Sequence, residues 1–94
     1  MAGRDVGVFA ISVAAEMSSM QIQNLRVYER RGLVAPDRTS GGTRLYSQED
    51  VDRLRRIRDL LAAGLNLAGI AAVLELEHEN ALLRARLARA RTRG

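Results

Sequence analysis

Cysteine is absent from the 94 residues, which excludes disulfides, thiolate nucleophiles and thiol-based metal or redox sensing. Lysine and tryptophan are absent as well, so all fifteen basic side chains are arginines. The single histidine, His78, stands among Glu75, Glu77 and Glu79. That set is at most an improvised carboxylate–imidazole site, and a solvated helix face is the favoured reading, so neither metal nor cofactor is expected. No nucleophile–base pair, phosphate loop or metal-ligand set is present, which argues against an enzyme and leaves no catalytic residues to assign. Long apolar runs are missing, and Met1 to Val8 carries Arg4 and Asp5 ahead of no signal-like stretch; the expectation is a cytoplasmic, nucleoid-associated protein without a membrane segment. What the sequence does hold is charge of one sign in excess. Fifteen arginines against eleven acids give +4, which points to an anionic partner such as nucleic acid. The length suits one domain plus an appendage, with a modest core that oligomerisation would extend.

Val8, Phe9 and Ile11 form a short apolar entry, either a small strand or a segment packed under the first helix. Ser12 offers an N-cap to a helix carrying Val13, Ala14 and Met17, and Ser18-Ser19-Met20 breaks it. Ile22, Leu25 and Tyr28 then recur at three-residue steps through Gln21 to Arg31, and Gly32 ends that second helix. Two short helices joined by a tight turn are a helix-turn-helix, whose second helix enters the major groove. Its opposite face carries Gln21, Gln23, Asn24, Arg26 and Arg30. Gln and Asn can pair bidentately with adenine, and Arg with guanine or phosphate.

Pro36 to Tyr46 reads as two strands around a Ser-Gly-Gly turn, a β-hairpin placed as a wing. Strand alternation puts Arg44 and Tyr46 on one face and Thr43 and Leu45 on the other, and Arg38 and Arg44 become candidate phosphate contacts. Ser47 to Asp50 has a capping-box pattern for a helix buried through Val51, Leu54, Ile57 and Leu61 and stopped by Gly64. Glu49–Arg53 and Asp52–Arg56 are spaced for i,i+4 pairs, and the arginines from Arg53 to Arg58 are secondary DNA-contact candidates. Asn66 caps a further helix through Leu67, Ile70, Val73 and Leu74, giving a second helix pair expected beneath the wing.

From Val73 the apolar spacing becomes heptad-like: Leu76, Asn80, Leu83, Leu87 and Ala90 alternate between a and d sites of a coiled-coil strand. Residues 8–74 are thus assigned to a winged helix-turn-helix and 75–94 to a dimerisation helix. Glu75, Glu77 and Glu79 have no arginine three or four residues ahead, while Arg84, Arg86, Arg89, Arg91 and Arg93 fill the second half. Antiparallel packing would set each acidic half against the partner's basic half.

Asn24-Leu25-Arg26-Val27-Tyr28-Glu29-Arg30-Arg31-Gly32-Leu33-Val34, followed by Pro36, Arg38, Gly42, Arg44, Tyr46 and Asp50, resembles the helix-and-wing pattern of the MerR family of bacterial regulators. Within that family Ile11 to Met17, Arg38 to Gly42 and Asn66 to Ile70 are most similar to the HspR subfamily of heat-shock repressors. The resemblance implies a mainly α, winged helix-turn-helix fold and a homodimer joined by an antiparallel helix on a pseudo-palindromic operator. It also implies that Arg26, Arg44 and Tyr28 contact or buttress the DNA backbone. Double-stranded DNA is the implied partner, with the DnaK chaperone or RNA polymerase beside it. This sequence departs from the family pattern at Val27, where a tyrosine is usual, at Thr43, which replaces a wing tyrosine and can hydrogen-bond a phosphate instead, and at Gln21, a poorer N-cap than Ser or Thr. Family members place a sensing region after the dimer helix. Because this sequence stops at Gly94, the sensory input is expected from a partner or from outside these residues.

Two functional classes compete at this point. A site-specific repressor is favoured by the base-reading side chains and the dimer helix; the alternative is an architectural, excisionase-like protein that bends DNA.

Overall fold

The computed structural model describes residues 3–93, so Gly94 of the expected dimerisation helix lies outside the described residues. The chain enters along the wing. Phe9 pairs with Tyr46 as an antiparallel bridge, the Tyr46 N–H donating to the Phe9 carbonyl at 2.7 Å and the Phe9 N–H donating back at 2.9 Å. Of the two possibilities for the apolar entry, strand pairing is the one realised. Gly7 makes it possible, because a Cβ there would collide with the Leu45 carbonyl oxygen and crowd the Asp37 side chain. This bridge sets where helix α1 (Ile11–Ser18) begins: Ala10 is its N-cap, without a side-chain hydrogen bond. Ser12 is therefore not the cap that the sequence suggests, but an exposed residue inside the first turn.

Ser18 and Ser19 end α1 by two different means. The Ser18 hydroxyl, fully buried, donates back to the Ala14 carbonyl at 2.8 Å, and Ser19 adopts φ 56° in the left-handed region. Helix α2 (Ile22–Arg30) follows, with Gln21 as an N-cap whose side chain makes no capping bond, as its poor capping chemistry implies. Leu25 and Tyr28 are buried, whereas Ile22, expected in the same stripe, is exposed like its neighbours Gln21, Gln23 and Asn24. The first turn of α2 projects from the body, and only its second half reaches the core. Gly32, at φ 75°, ends the helix and turns Leu33 and Val34 inward.

The hairpin comprises β1 (Asp37–Arg38) and β2 (Arg44–Leu45), antiparallel, with Asp37 opposite Leu45 and Arg38 opposite Arg44. Its turn closes through Gly42, φ 86°, whose N–H donates to the Thr39 carbonyl at 2.9 Å. Helix α3 (Gln48–Ala62) opens with the expected capping box: the Asp50 N–H donates to Ser47 Oγ at 3.0 Å, and the Ser47 N–H to Asp50 Oδ2 at 2.9 Å. Its buried stripe is Val51, Leu54, Ile57 and Leu60 rather than Leu61, since the helical period alone does not choose between positions three and four ahead. Helix α4 (Leu67–Arg93) begins on Asn66, whose Oδ1 accepts from the Gly69 N–H at 2.8 Å.

The core forms where α3 packs on α1 and α4, with Tyr46, Leu25, Leu54, Ile57, Ile70 and Val51 fully enclosed. The α3 helix packs on α1 as well as on α4, and the wing draws hydrogen bonds from residues 7–9 while Tyr46 beneath it joins the same core. Burial along α4 ends at Leu74, yet the helix runs on unbroken to Arg93 with every residue from Glu75 exposed. The division expected between 74 and 75 falls inside one helix and marks a loss of burial. None of the described helices is long and apolar enough to cross a membrane.

Candidate nucleic-acid interface

The amphipathic split of α2 builds the first half of the site. With Leu25 and Tyr28 turned inward, Gln21, Gln23, Asn24, Arg26 and Arg30 are all exposed, and among the described residues none has a side-chain hydrogen bond or a carboxylate partner. A helix that carries a row of solvated amides and guanidiniums along its outward face is matched in size to the major groove.

The second half is the wing, joined to α2 by a residue that the sequence reading passed over. Arg38 and Arg44 lie directly opposite on the hairpin, where like charges repel. The Glu29 carboxylate lies between them: Arg44 Nε donates to Glu29 Oε1 at 2.6 Å, and Arg38 Nη2 donates to Oε1 and Oε2 at 3.3 and 3.2 Å. Arg38 Nη1 also donates to the Gly42 carbonyl at 3.0 Å, tying the same side chain to the turn. The Glu29 side chain is only 16% exposed, so its charge acts in a partly desolvated setting. Its signal was present in the sequence as the one acid inside an arginine-rich helix, but its role depends on hairpin register, which local pattern does not supply.

Thr43 sits exposed at the wing tip, its N–H donating to Thr39 Oγ1 at 3.1 Å. The two tyrosines occupy another layer. Tyr28 is 5% exposed and Tyr46 fully buried, so the ring of Tyr46 is a core element beneath the wing and not, as alternation suggested, an aromatic beside Arg44 at the surface. Burial pushes both phenols above their ordinary pKa, reinforced at Tyr46 by the nearby Glu29 carboxylate. The Tyr46 hydroxyl is enclosed without a hydrogen-bond partner among the described residues.

The arginines of α3 make contacts within the fold. Arg55 Nε donates to the Met17 carbonyl and Arg58 Nη1 to the Ser18 carbonyl, each at 3.1 Å, placing positive charge at the C-terminus of α1 where the helix dipole favours it. Arg53 donates to the Leu33 carbonyl, and Arg56 forms a bidentate pair with Glu77 of α4, its closest contact 2.7 Å. The i,i+4 pairs expected of Glu49–Arg53 and Asp52–Arg56 are replaced by these tertiary partners, with Asp52 taken by Arg4 and Arg55. Glu77 thereby leaves the set of acids used to argue strand direction. On the tail, Leu76, Leu83 and Leu87 are 62, 60 and 52% exposed, with Asn80 exposed among them. No group of three or more potential metal-ligating His, Cys, Asp or Glu residues occurs among the described residues.

Comparison with known proteins agrees with this geometry. The model of the MerR HTH family regulatory protein matches residues 9–77, from the Phe9 bridge through Glu77. The heat shock protein HspR of Streptomyces coelicolor is 49% identical over 85 residues, covering 89% of this chain and 56% of that protein. The transcriptional regulator GlnR of Bacillus anthracis is 44% identical over 71 residues, covering 76% and 55%. Among solved structures, the transcription regulator PbrR691 of Ralstonia metallidurans CH34, determined in complex with lead(II), superposes with a TM-score of 0.71 at 30% identity, covering 92% of this chain and 74% of that one. The chain spans about half the length of the curated relatives it matches. On these matches and on the winged helix-turn-helix that carries them, the chain belongs to the MerR family of helix-turn-helix transcription regulators.

Proposed function

We propose that this protein is a sequence-specific, homodimeric repressor of the HspR type that binds a pseudo-palindromic operator in double-stranded DNA. One observation carries the reading: the outward face of α2 leaves Gln21, Gln23, Asn24, Arg26 and Arg30 exposed and unpaired among the described residues, while the wing arginines are pinned to the same helix. In this reading Gln21, Gln23 and Asn24 read base edges, and Arg26, Arg30, Arg38, Arg44 and Thr43 hold phosphates. Tyr28 and Tyr46 act from beneath, fixing the helix and the wing. Leu76, Asn80, Leu83 and Leu87 form the antiparallel seam that joins two heads, supported by three large apolar side chains left more than half exposed at heptad spacing. The DnaK chaperone or RNA polymerase is the further partner that the HspR resemblance suggests.

The test is duplex binding as a function of salt. If two heads together neutralise about six phosphates, log K falls against log salt with a slope of roughly −5. A slope near zero contradicts the proposal.

A further inference from the structure

The charges of the wing are not simply available to DNA. Arg38 and Arg44 share one carboxylate, so this cluster presents a net charge of about +1, not +2, to an approaching polyanion. The attachment is also directional. Glu29 takes Arg44 through Nε, which leaves the Nη1/Nη2 edge without a partner among the described residues, and that edge is one of the faces a guanidinium uses for bidentate phosphate binding. Arg38 is held at both Nη atoms, to Glu29 and to the Gly42 carbonyl, so it also ties the turn to α2. Without the carboxylate, two cations would face each other across strands of only two residues each, where like charges repel.

We propose that Glu29 is a specificity-determining positioning residue: by clamping both wing arginines to the recognition helix, it withholds charge from random duplex and fixes the spacing at which phosphate contact and base reading coincide. The inference rests on the DNA-binding reading above. Freed arginines bind any phosphate backbone, whereas clamped ones reward only the docking pose in which α2 is also seated. Glu29 need not touch DNA; it acts through Arg44 and Arg38.

The experiment compares the full chain with its Glu29→Gln variant on a duplex selected from a random pool by the wild-type protein and on a scrambled duplex of equal length. Glu29→Gln is expected to bind scrambled DNA about three- to tenfold more tightly at low salt, with a slope steeper by about one per head engaged. The ratio of selected to scrambled affinity is expected to fall about tenfold. Glu49→Gln, the same charge change at an exposed position on α3, is expected to leave that ratio unchanged. Glu29→Gln/Arg38→Gln restores the wild-type charge and relieves the cross-strand repulsion. It is expected to return the scrambled-DNA slope to the wild-type value without restoring the ratio, which keeps the test decisive should the single variant melt early. Equal weakening on both duplexes, or an equal loss of ratio in Glu49→Gln, would overturn the assignment. Salt-independent binding by the wild type would instead overturn the DNA-binding reading itself, so the two failures are distinguishable.

Discussion

Helix α4 contains two kinds of leucine. Up to Leu74 its apolar side chains close the core, with Ile70 at 0% and Leu74 at 5% exposure; two residues later Leu76 is 62% exposed, and Leu83 and Leu87 follow it into solvent. Nothing in helix propensity separates the two stretches, which form one unbroken helix. The difference is tertiary: α3 packs against the first part, and among the described residues none buries the leucines of the second. A helix tail that buries none of its apolar side chains gains little from its own chain, and a second copy is the cover proposed for its leucines. The head has its own enclosed core, whereas the described tail buries no side chain.

That contrast can be broken most forcefully at Leu83. Leu83→Asp places a charge in the proposed seam and is expected to yield monomers by sedimentation. Affinity for a palindromic duplex should fall by roughly 10²–10⁴, while a single half-site is bound as before, because the second head loses its effective concentration. Truncation after Leu74 should act alike. An unchanged dimer in both would place association elsewhere. The head is tested at Ile57, fully buried in α3. Ile57→Ala is expected to cost about 2–5 kcal/mol in denaturant unfolding, far more than Leu87→Ala measured in the monomeric Leu83→Asp background.

A smaller effect sharpens the division of labour within the head. Gln23→Ala should relax one operator position by about 1–3 kcal/mol, whereas Arg26→Ala should weaken all duplexes alike and flatten the salt slope. The smallest effect lies where head meets tail. Arg56 holds the Glu77 carboxyl below the usual range for glutamate, the hydrogen bond outweighing desolvation. A lowered folded-state pKa means that this stabilisation is present above the unfolded glutamate pKa and lost as pH falls through the folded one. Both side chains are nearly half exposed, so the loss is slight and screened by salt. In melts on the acid side, wild type should lose its small advantage over Glu77→Gln as pH drops.

Much of this architecture was legible because it is local. Ser47 with Asp50, Asn66 with Gly69, and the helix stops at Gly32 and Gly64 depend on residues within a few positions of one another, and each took its expected place. The polar face of α2 was legible for the same reason, since three residues of backbone geometry decide which side chains share it. What was not legible required contacts across the chain. Ser12 lost the capping position because Phe9 pairs with Tyr46, thirty-seven residues away. Arg53 and Arg56 left their helical neighbours for Leu33 and Glu77, where a carbonyl and a carboxylate on other elements offered better partners than exposed i,i+4 pairs. Tyr46 follows β2 as a separate bridge to Phe9 and is buried, since alternation says which face a residue occupies and not which face is buried. Glu29 became interpretable only when the hairpin register set Arg38 opposite Arg44.

The central proposal is that two self-contained heads are joined through their tails, and a backbone footprint of the full chain on its selected duplex tests it most directly. The account predicts two equivalent protected patches related by a dyad, separated by about one helical turn or a whole number of turns, which collapse to one patch in Leu83→Asp. A single asymmetric patch bound by the wild-type chain, or two patches that persist in Leu83→Asp, would contradict it.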